Sequence, residues 1–311
     1  MDLIYRLSGK ELYDQAIIFK KKQDYDNYII YITMAANYNY DLAIYYIYEW
    51  DIYKKQTYSI TLKFYEETAY NINLKNTYSI HFLAYMYCHG LGVEQNYNKA
   101  YELYMIAIEK GNFQSLINIK YLSRYNVFVD YKKIIKIYEK AIENGDVSAY
   151  SKLGYMYNYG YGMDSEHKEA IKLYETGIEK GDTASLYYLA CILTYSSRRD
   201  YVKAAQLYEI AIKKEHISSL ISLAYMYKNG QGIKKNHAKA IKLYEIMIEK
   251  GIDIGITYVA GHYMKGKYVT QSYDKAIKLY NFGINNDSAS ATYYMKELLK
   301  IRRLDTEELV S

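Results

Sequence analysis

The stretch Leu153-Gly154-Tyr155-Met156-Tyr157, followed by Gly160-Tyr161-Gly162-Met163, then Glu169-Ala170-Ile171-Lys172-Leu173-Tyr174 and Gly181, decides the fold, because the chain keeps copying it. The alanine phrase returns as Lys99-Ala100-Tyr101-Glu102-Leu103-Tyr104, Lys203-Ala204-Ala205-Gln206-Leu207-Tyr208, Lys239-Ala240-Ile241-Lys242-Leu243-Tyr244 and Lys275-Ala276-Ile277-Lys278-Leu279-Tyr280. A weaker copy ends at Tyr138, and degenerate copies end at Tyr31 and Tyr65. These anchoring tyrosines are spaced by 34, 39, 34, 36, 34, 36 and 36 residues. The leucine phrase follows most of them by 15 residues, at Tyr46, Ile119, Leu153, Leu189, Leu223 and Val259. Its copy at Leu83 is displaced by three residues, which predicts a longer turn around residues 70–77. A fixed period of this length marks stacked supersecondary units.

Both phrases carry helical periodicity. Ala170, Tyr174 and Gly177 fall at i, i+4 and i+7, one face of a helix, and Ala204/Tyr208/Ala211 and Ala100/Tyr104/Ala107 repeat that face. Four residues before the alanine position stand Asn96, Asp130, Glu166, Asp200, Asn236 and Ser272, mostly side chains that cap free helix amides. Gly111, Gly145, Gly181 and Gly251 follow the last turns, where glycine accepts a left-handed backbone; His216 and Asn285 interrupt that series. Two helices per repeat cannot bury both apolar faces alone, so neighbouring repeats must stack. The expected fold is all-α: a right-handed α–α superhelix of about eight helix–turn–helix repeats. Residues 1–77 read as degenerate repeats and 78–286 as well-formed ones. Residues 287–311, with Glu297, Lys300, Arg302, Arg303, Asp305, Glu307 and Glu308, read as a polar capping helix and tail of one continuous solenoid.

Composition agrees. The chain has 311 residues, 50% of them hydrophobic and 24% charged, which suits a folded core. It has no proline, the main helix breaker. Tyrosine is over-represented at 45 residues, alongside Ile, Lys and Asn, as an A+T-rich coding sequence would favour. The formal net charge is +5, and Lys and Glu are interleaved (Glu109-Lys110, Glu179-Lys180), which argues for a solvated helix surface over a nucleic-acid footprint. Cys88 and Cys191 show no metal or redox spacing, which fits a reducing compartment. No secretory signal opens the chain, and the longest charge-free stretch, residues 27–40, is too short and polar for a bilayer. The expectation is a soluble, intracellular protein of the cytoplasm.

The paired phrases resemble the Sel-1-like repeat (SLR) family, a subgroup of tetratricopeptide-like α-solenoids. That pattern runs from Leu-Gly-x-Met-Tyr through Gly-x-Gly-Val to an alanine helix ending near glycine. Here it is carried by Leu153 to Tyr157, Gly160 to Met163, Ala170 and Gly181. Gly90-Leu91-Gly92-Val93 and Gly230-Gln231-Gly232-Ile233 carry the same loop, and Gly266-Lys267-Tyr268-Val269 part of it. Alternate repeats lack it (Arg124-Tyr125-Asn126-Val127; Ser196-Ser197-Arg198-Arg199), predicting shorter turns. With its A+T-type composition the chain also resembles members encoded by large amoeba-infecting DNA viruses, which would place it in the host cytoplasm. The resemblance implies scaffold or adaptor work through protein–protein contacts, without catalysis, cofactor or metal.

The Gly-x-Gly loops lie between helices and recur periodically, so they read as turns, not as phosphate cradles. His81 and Cys88 are about 10 Å apart along one helix, too far to share a zinc ion. His167, His216, His237 and His262 have no partner carboxylate at a repeated spacing. The tyrosines divide in two. Tyr104, Tyr138, Tyr174, Tyr208, Tyr244 and Tyr280 read as structural anchors. A second column, two residues past the apolar residue of each first helix, comprises Tyr48, Tyr85, Tyr121, Tyr155 and Tyr225, interrupted by Cys191 and Gly261. If first helices line the concave side, as the resemblance implies, this column with Tyr187 forms a groove for a peptide or partner helix. Tyr78, His81, Gln114, Arg124, Ser151, Asn158, Tyr195, Lys228 and Lys265 are further groove candidates. The bland alternative is inter-helix packing or codon bias. The competing function is RNA binding by a helical-repeat reader; weak net charge counts against it.

Overall fold

The computed structural model describes residues 7–38, 43, 59–69, 77–162, 164–195, 199–285 and 288–308. Among them are sixteen α-helices and no strand. They group into two compact units, Met1–Glu166 and His167–Ser311. The first unit holds α1 (Gly9–Lys21), α2 (Tyr25–Asn37), α3 (Ser59–Ala69), α4 (Thr77–His89), α5 (Tyr97–Glu109), α6 (Phe113–Leu122), α7 (Tyr131–Glu143) and α8 (Ala149–Tyr159). The second holds α9 (His167–Glu179), α10 (Thr183–Tyr195), α11 (Tyr201–Lys213), α12 (Ile217–Asn229), α13 (His237–Glu249), α14 (Ile256–Lys265), α15 (Tyr273–Asn285) and α16 (Ala289–Glu308).

Within each unit helices pack on their neighbours in sequence, as short connections require. In the first unit α4 also touches α6, and α5 touches α7, so like helices of adjacent repeats meet. In the second, α16 closes the stack on α14 and α15 through Ala291, Met295 and Leu298, which share one face. The leucine phrase lies on the first helix of each repeat (α4, α6, α8, α10, α12, α14) and the alanine phrase on the second (α5, α7, α9, α11, α13, α15).

Local chemistry fixes the ends. Asn96, Asp130, Asp200, Asn236 and Ser272 each accept a hydrogen bond from the backbone amide three residues on. Gly111, Gly145, Gly181 and Gly251 all take positive φ, from 85° to 97°. One expectation is corrected here. In the repeat read as interrupted by His216, the left-handed residue is Glu215, at φ 63°, and His216 instead stands at the position before α12 begins, its Nδ1 2.9 Å from Ser219 Oγ. Asn285 is the last residue of α15. The longer turn expected at residues 70–77 lies almost wholly outside the described residues.

The core of each unit is built on alanines and tyrosines. Ala100, Ala170, Ala204, Ala240 and Ala276 are fully buried, and the methyl at that site lets helices approach. Tyr104, Tyr138, Tyr174, Tyr208, Tyr244 and Tyr280 are each at most 5% exposed, and Tyr65 is buried too. Tyr31 departs: it is half-buried, while Tyr28 is fully buried. The reason is local. Asn27 stands where other copies have alanine, so α2 turns Tyr28, Ile32 and Ala35 inward, an i, i+4, i+7 set.

Candidate partner-binding surface

In three repeats the second-column position lies near the anchor tyrosine of its own repeat. In α10, Cys191 Sγ lies 3.4 Å from the Tyr208 hydroxyl. Burial raises the Tyr104 and Tyr244 phenols above their usual pKa, and the nearby Tyr85 and Tyr225 phenols add to that. In these repeats the column residue therefore sits as a roof over the anchor tyrosine. How much of each roof residue is exposed varies. Tyr121 and Tyr225 are 51% and 52% exposed. Tyr85, Tyr155 and Tyr187 are half-buried. Tyr48 lies outside the described residues.

Their neighbours account for the difference. Tyr85 packs against His89, with ring centroids 4.1 Å apart. Tyr155 meets Phe113 edge-on at 4.9 Å and also touches Tyr159 and Tyr161. Tyr187 is ringed by Tyr188, Tyr208 and His216, all within 6.0 Å. Tyr121 has the Arg124 guanidinium 5.2 Å from its ring.

The further groove candidates separate. Arg124, Tyr195 and Lys265 are exposed. Tyr78, Gln114, Asn158 and Lys228 are half-buried. His81 and Ser151 do not reach a surface. His81 is 1% exposed, its Nδ1 2.8 Å from Ser115 Oγ, and burial pushes its pKa down to about 3. Ser151 is 3% exposed and donates to the Ser148 carbonyl at 3.0 Å. His81 meets the next first helix through Ser115, a relation that depends on how repeats stack and that one helix's periodicity does not carry.

Sequence reasoning passed over Phe128. It is 82% exposed, in the short connection that replaces a Gly-x-Gly loop, beside exposed Arg124 and Tyr125. An apolar residue in a loop, outside any helical period, was the available signal. Among the described residues no three of His, Cys, Asp and Glu converge as a metal site. Among them, too, no helix is long and apolar enough to cross a membrane.

Consecutively packed two-helix units with a buried tyrosine row define a helical-repeat protein. The sequence matches the Sel1 repeat at residues 77–112, 121–146, 147–182, 183–216, 217–252 and 255–288, more than half its length, and the chain belongs to the Sel1 repeat family. No curated protein matches it significantly. Among solved structures it is similar to c5321, a protective antigen of uropathogenic Escherichia coli strains with an SLR fold. That match has a TM-score of 0.51 at 24% identity and covers 77% of this chain and 51% of that one. The chain thus spans about half the length of the Escherichia coli protein. A Sel1 repeat protein of Oxalobacter formigenes matches at 24% identity and TM-score 0.43, covering 74% of this chain and 94% of its own. Sel1 repeats in general mediate contacts between proteins.

Proposed function

We propose that the chain is a non-enzymatic adaptor that holds a peptide or partner helix along the tyrosines of its first helices. The observation that supports this best is the exposure of Tyr121 and Tyr225. Each presents half of a large phenol to solvent on a helix whose other large residues are mostly inside. A solvent-facing tyrosine offers wide contact area and a hydroxyl at little entropic cost on binding. Arg124, Tyr125 and Phe128 extend the surface around Tyr121. The reading places the adaptor in the cytoplasm. RNA is the weaker alternative, because Glu is interleaved with Lys along the chain.

A photo-crosslinking residue placed at position 121 or 225 tests this directly. Controls go at Ile106 and Ile246, equally solvent-facing on second helices, at 38% exposure. The expected result is a discrete protein adduct from positions 121 and 225 and none from 106 and 246. Adducts at the second helices alone overturn the reading, and an RNA adduct at 121 or 225 transfers it to nucleic acid.

A further inference from the structure

In the last repeat the roof over the anchor row is missing. The column position is tyrosine at 85, 121, 155 and 225 and cysteine at 191, but glycine at 261. A Cβ added to Gly261 would meet nothing within 4 Å. A cavity of about 360 Å³ opens there. Tyr280 lines it, wholly buried, and among the described residues its hydroxyl meets no hydrogen-bonding partner. Its counterpart Tyr208 does have one, in Cys191, whereas the Tyr138 hydroxyl, in a repeat whose column position is tyrosine, has none among the described residues. A buried phenol left so is costly unless something completes it.

The walls are aromatic, from Tyr258 and Tyr294. The rim is cationic: Lys265 and Lys267 are both exposed, and His262 stands beside them. Among the described residues no carboxylate lines the cavity. Shape, hydrogen bonding and charge thus specify three properties of an occupant. It brings a flat ring, because the column position carries tyrosine in four other repeats. It brings an oxygen that can accept from Tyr280. It brings negative charge to the rim.

We infer that this cavity receives one tyrosine side chain from an acidic segment of a protein partner, supplying the ring that Gly261 leaves out. The inference rests on the adaptor reading above and names the partner's chemistry at one end of the surface. The inserted phenol lies between Tyr258 and Tyr294 with its oxygen accepting from the Tyr280 hydroxyl. Flanking carboxylates reach Lys265 and Lys267.

The test is a fluorescence-anisotropy titration with a labelled Glu-Glu-Tyr-Glu-Glu peptide. Binding should weaken about tenfold when the peptide tyrosine becomes alanine, the usual scale for losing an aromatic anchor. Gly261→Tyr fills the cavity from within and should abolish binding while leaving the melting temperature unchanged or higher, since the added side chain enters open space. Lys265→Glu with Lys267→Glu should reverse the preference toward a Lys-Lys-Tyr-Lys-Lys peptide. Equal peptide affinity for the native chain and Gly261→Tyr overturns the inference, as does indifference to the peptide tyrosine. If the crosslinked partner is lost by Tyr121→Ala and Tyr225→Ala but kept by Gly261→Tyr, the adaptor reading stands and the cavity falls. If all three variants keep it, the adaptor reading falls as well.

Discussion

Gly232 lies against the ring of Tyr201, so closely that a Cβ on the glycine would fall 1.9 Å from two ring carbons. Tyr201 opens α11, and Gly232 is the second glycine of the loop that follows α12. Gly162 repeats the relation on Tyr131, where the added Cβ would fall 2.8 and 2.9 Å from two ring carbons. The partial loop Gly266-Lys267-Tyr268 has tyrosine there instead, at φ 68°, stacked 4.5 Å from His237, which opens α13. In these three loops the loop residue and the helix-opening residue differ together: glycine under tyrosine, or tyrosine on histidine. Gly232→Tyr alone should destabilise the chain by more than about 2 kcal/mol, from overlap and from a left-handed backbone. Adding Tyr201→His should recover roughly 1–2 kcal/mol of that, which a double-mutant cycle in urea measures. Strict additivity would show that the two positions do not act as a pair.

Tyr174 and Tyr121 should respond oppositely to truncation. Tyr174 is fully buried and stacks 5.8 Å from Tyr188. Tyr174→Ala should cost about 3–5 kcal/mol, the range for a core aromatic. Tyr121→Ala should stay within about 0.5 kcal/mol, as for a surface change. Tyr155→Ala should fall between them, because Phe113, Tyr159 and Tyr161 all pack on that ring. Urea midpoints separate the three. Equal losses for Tyr174→Ala and Tyr121→Ala would dissolve the division into anchors and surface.

Acid should weaken the fold through His81. Burial holds its pKa at about 3, against 6.5 for the free side chain. Below pH 6.5 the unfolded chain takes up a proton that the folded chain refuses, so stability is full above that pH and falls as pH drops toward 3. At pH 4.5, two units below the free value, the loss approaches about 2–3 kcal/mol. His216, pushed down to about 4 chiefly by burial, adds a shallower slope in the same direction. His81→Gln keeps a hydrogen-bonding group for Ser115 and cannot titrate. Thermal melts from pH 7 to 4.5 should show a smaller decline in that variant than in the native chain, and parallel declines would remove His81 as the cause.

What the sequence made legible was whatever one helix decides alone. Caps at Asn96, Asp130, Asp200 and Asn236 could be read because the capping oxygen and the amide it accepts from are three residues apart. The anchor row was legible because alanine and tyrosine share a face at i and i+4. Tyr31 was misplaced because a single Asn27 turned that face. His81 was placed on a surface because its partner belongs to stacking: Ser115 comes 34 residues later on the next first helix. The cavity at Gly261 was visible only as a gap in a column. Its depth depends on Tyr280 and Tyr294, from two other helices.

Glu215 offers a gain of stability. It occupies the left-handed position that glycine holds at 111, 145, 181 and 251, with φ 63°. For a residue with a Cβ that conformation costs roughly 1–2 kcal/mol. The side chain returns little: its ion pair with Lys250 spans 3.2 Å, but the Glu215 side chain is 75% exposed. Exposed pairs of that kind contribute about 0–1 kcal/mol. Glycine also adds disorder to the unfolded chain, which offsets part of the gain. The balance favours Glu215→Gly by about 0.5–1 kcal/mol, and Glu215→Asn by less, since asparagine tolerates the left-handed region better than glutamate. Glu215→Gln separates the causes: it removes the charge, keeps the Cβ, and should leave stability unchanged or slightly lower. Melting temperatures ranked Gly above Asn above Glu would confirm that backbone strain dominates here. A Glu215→Gly chain that melts below the native one would show that the Lys250 pair matters more than its exposure suggests.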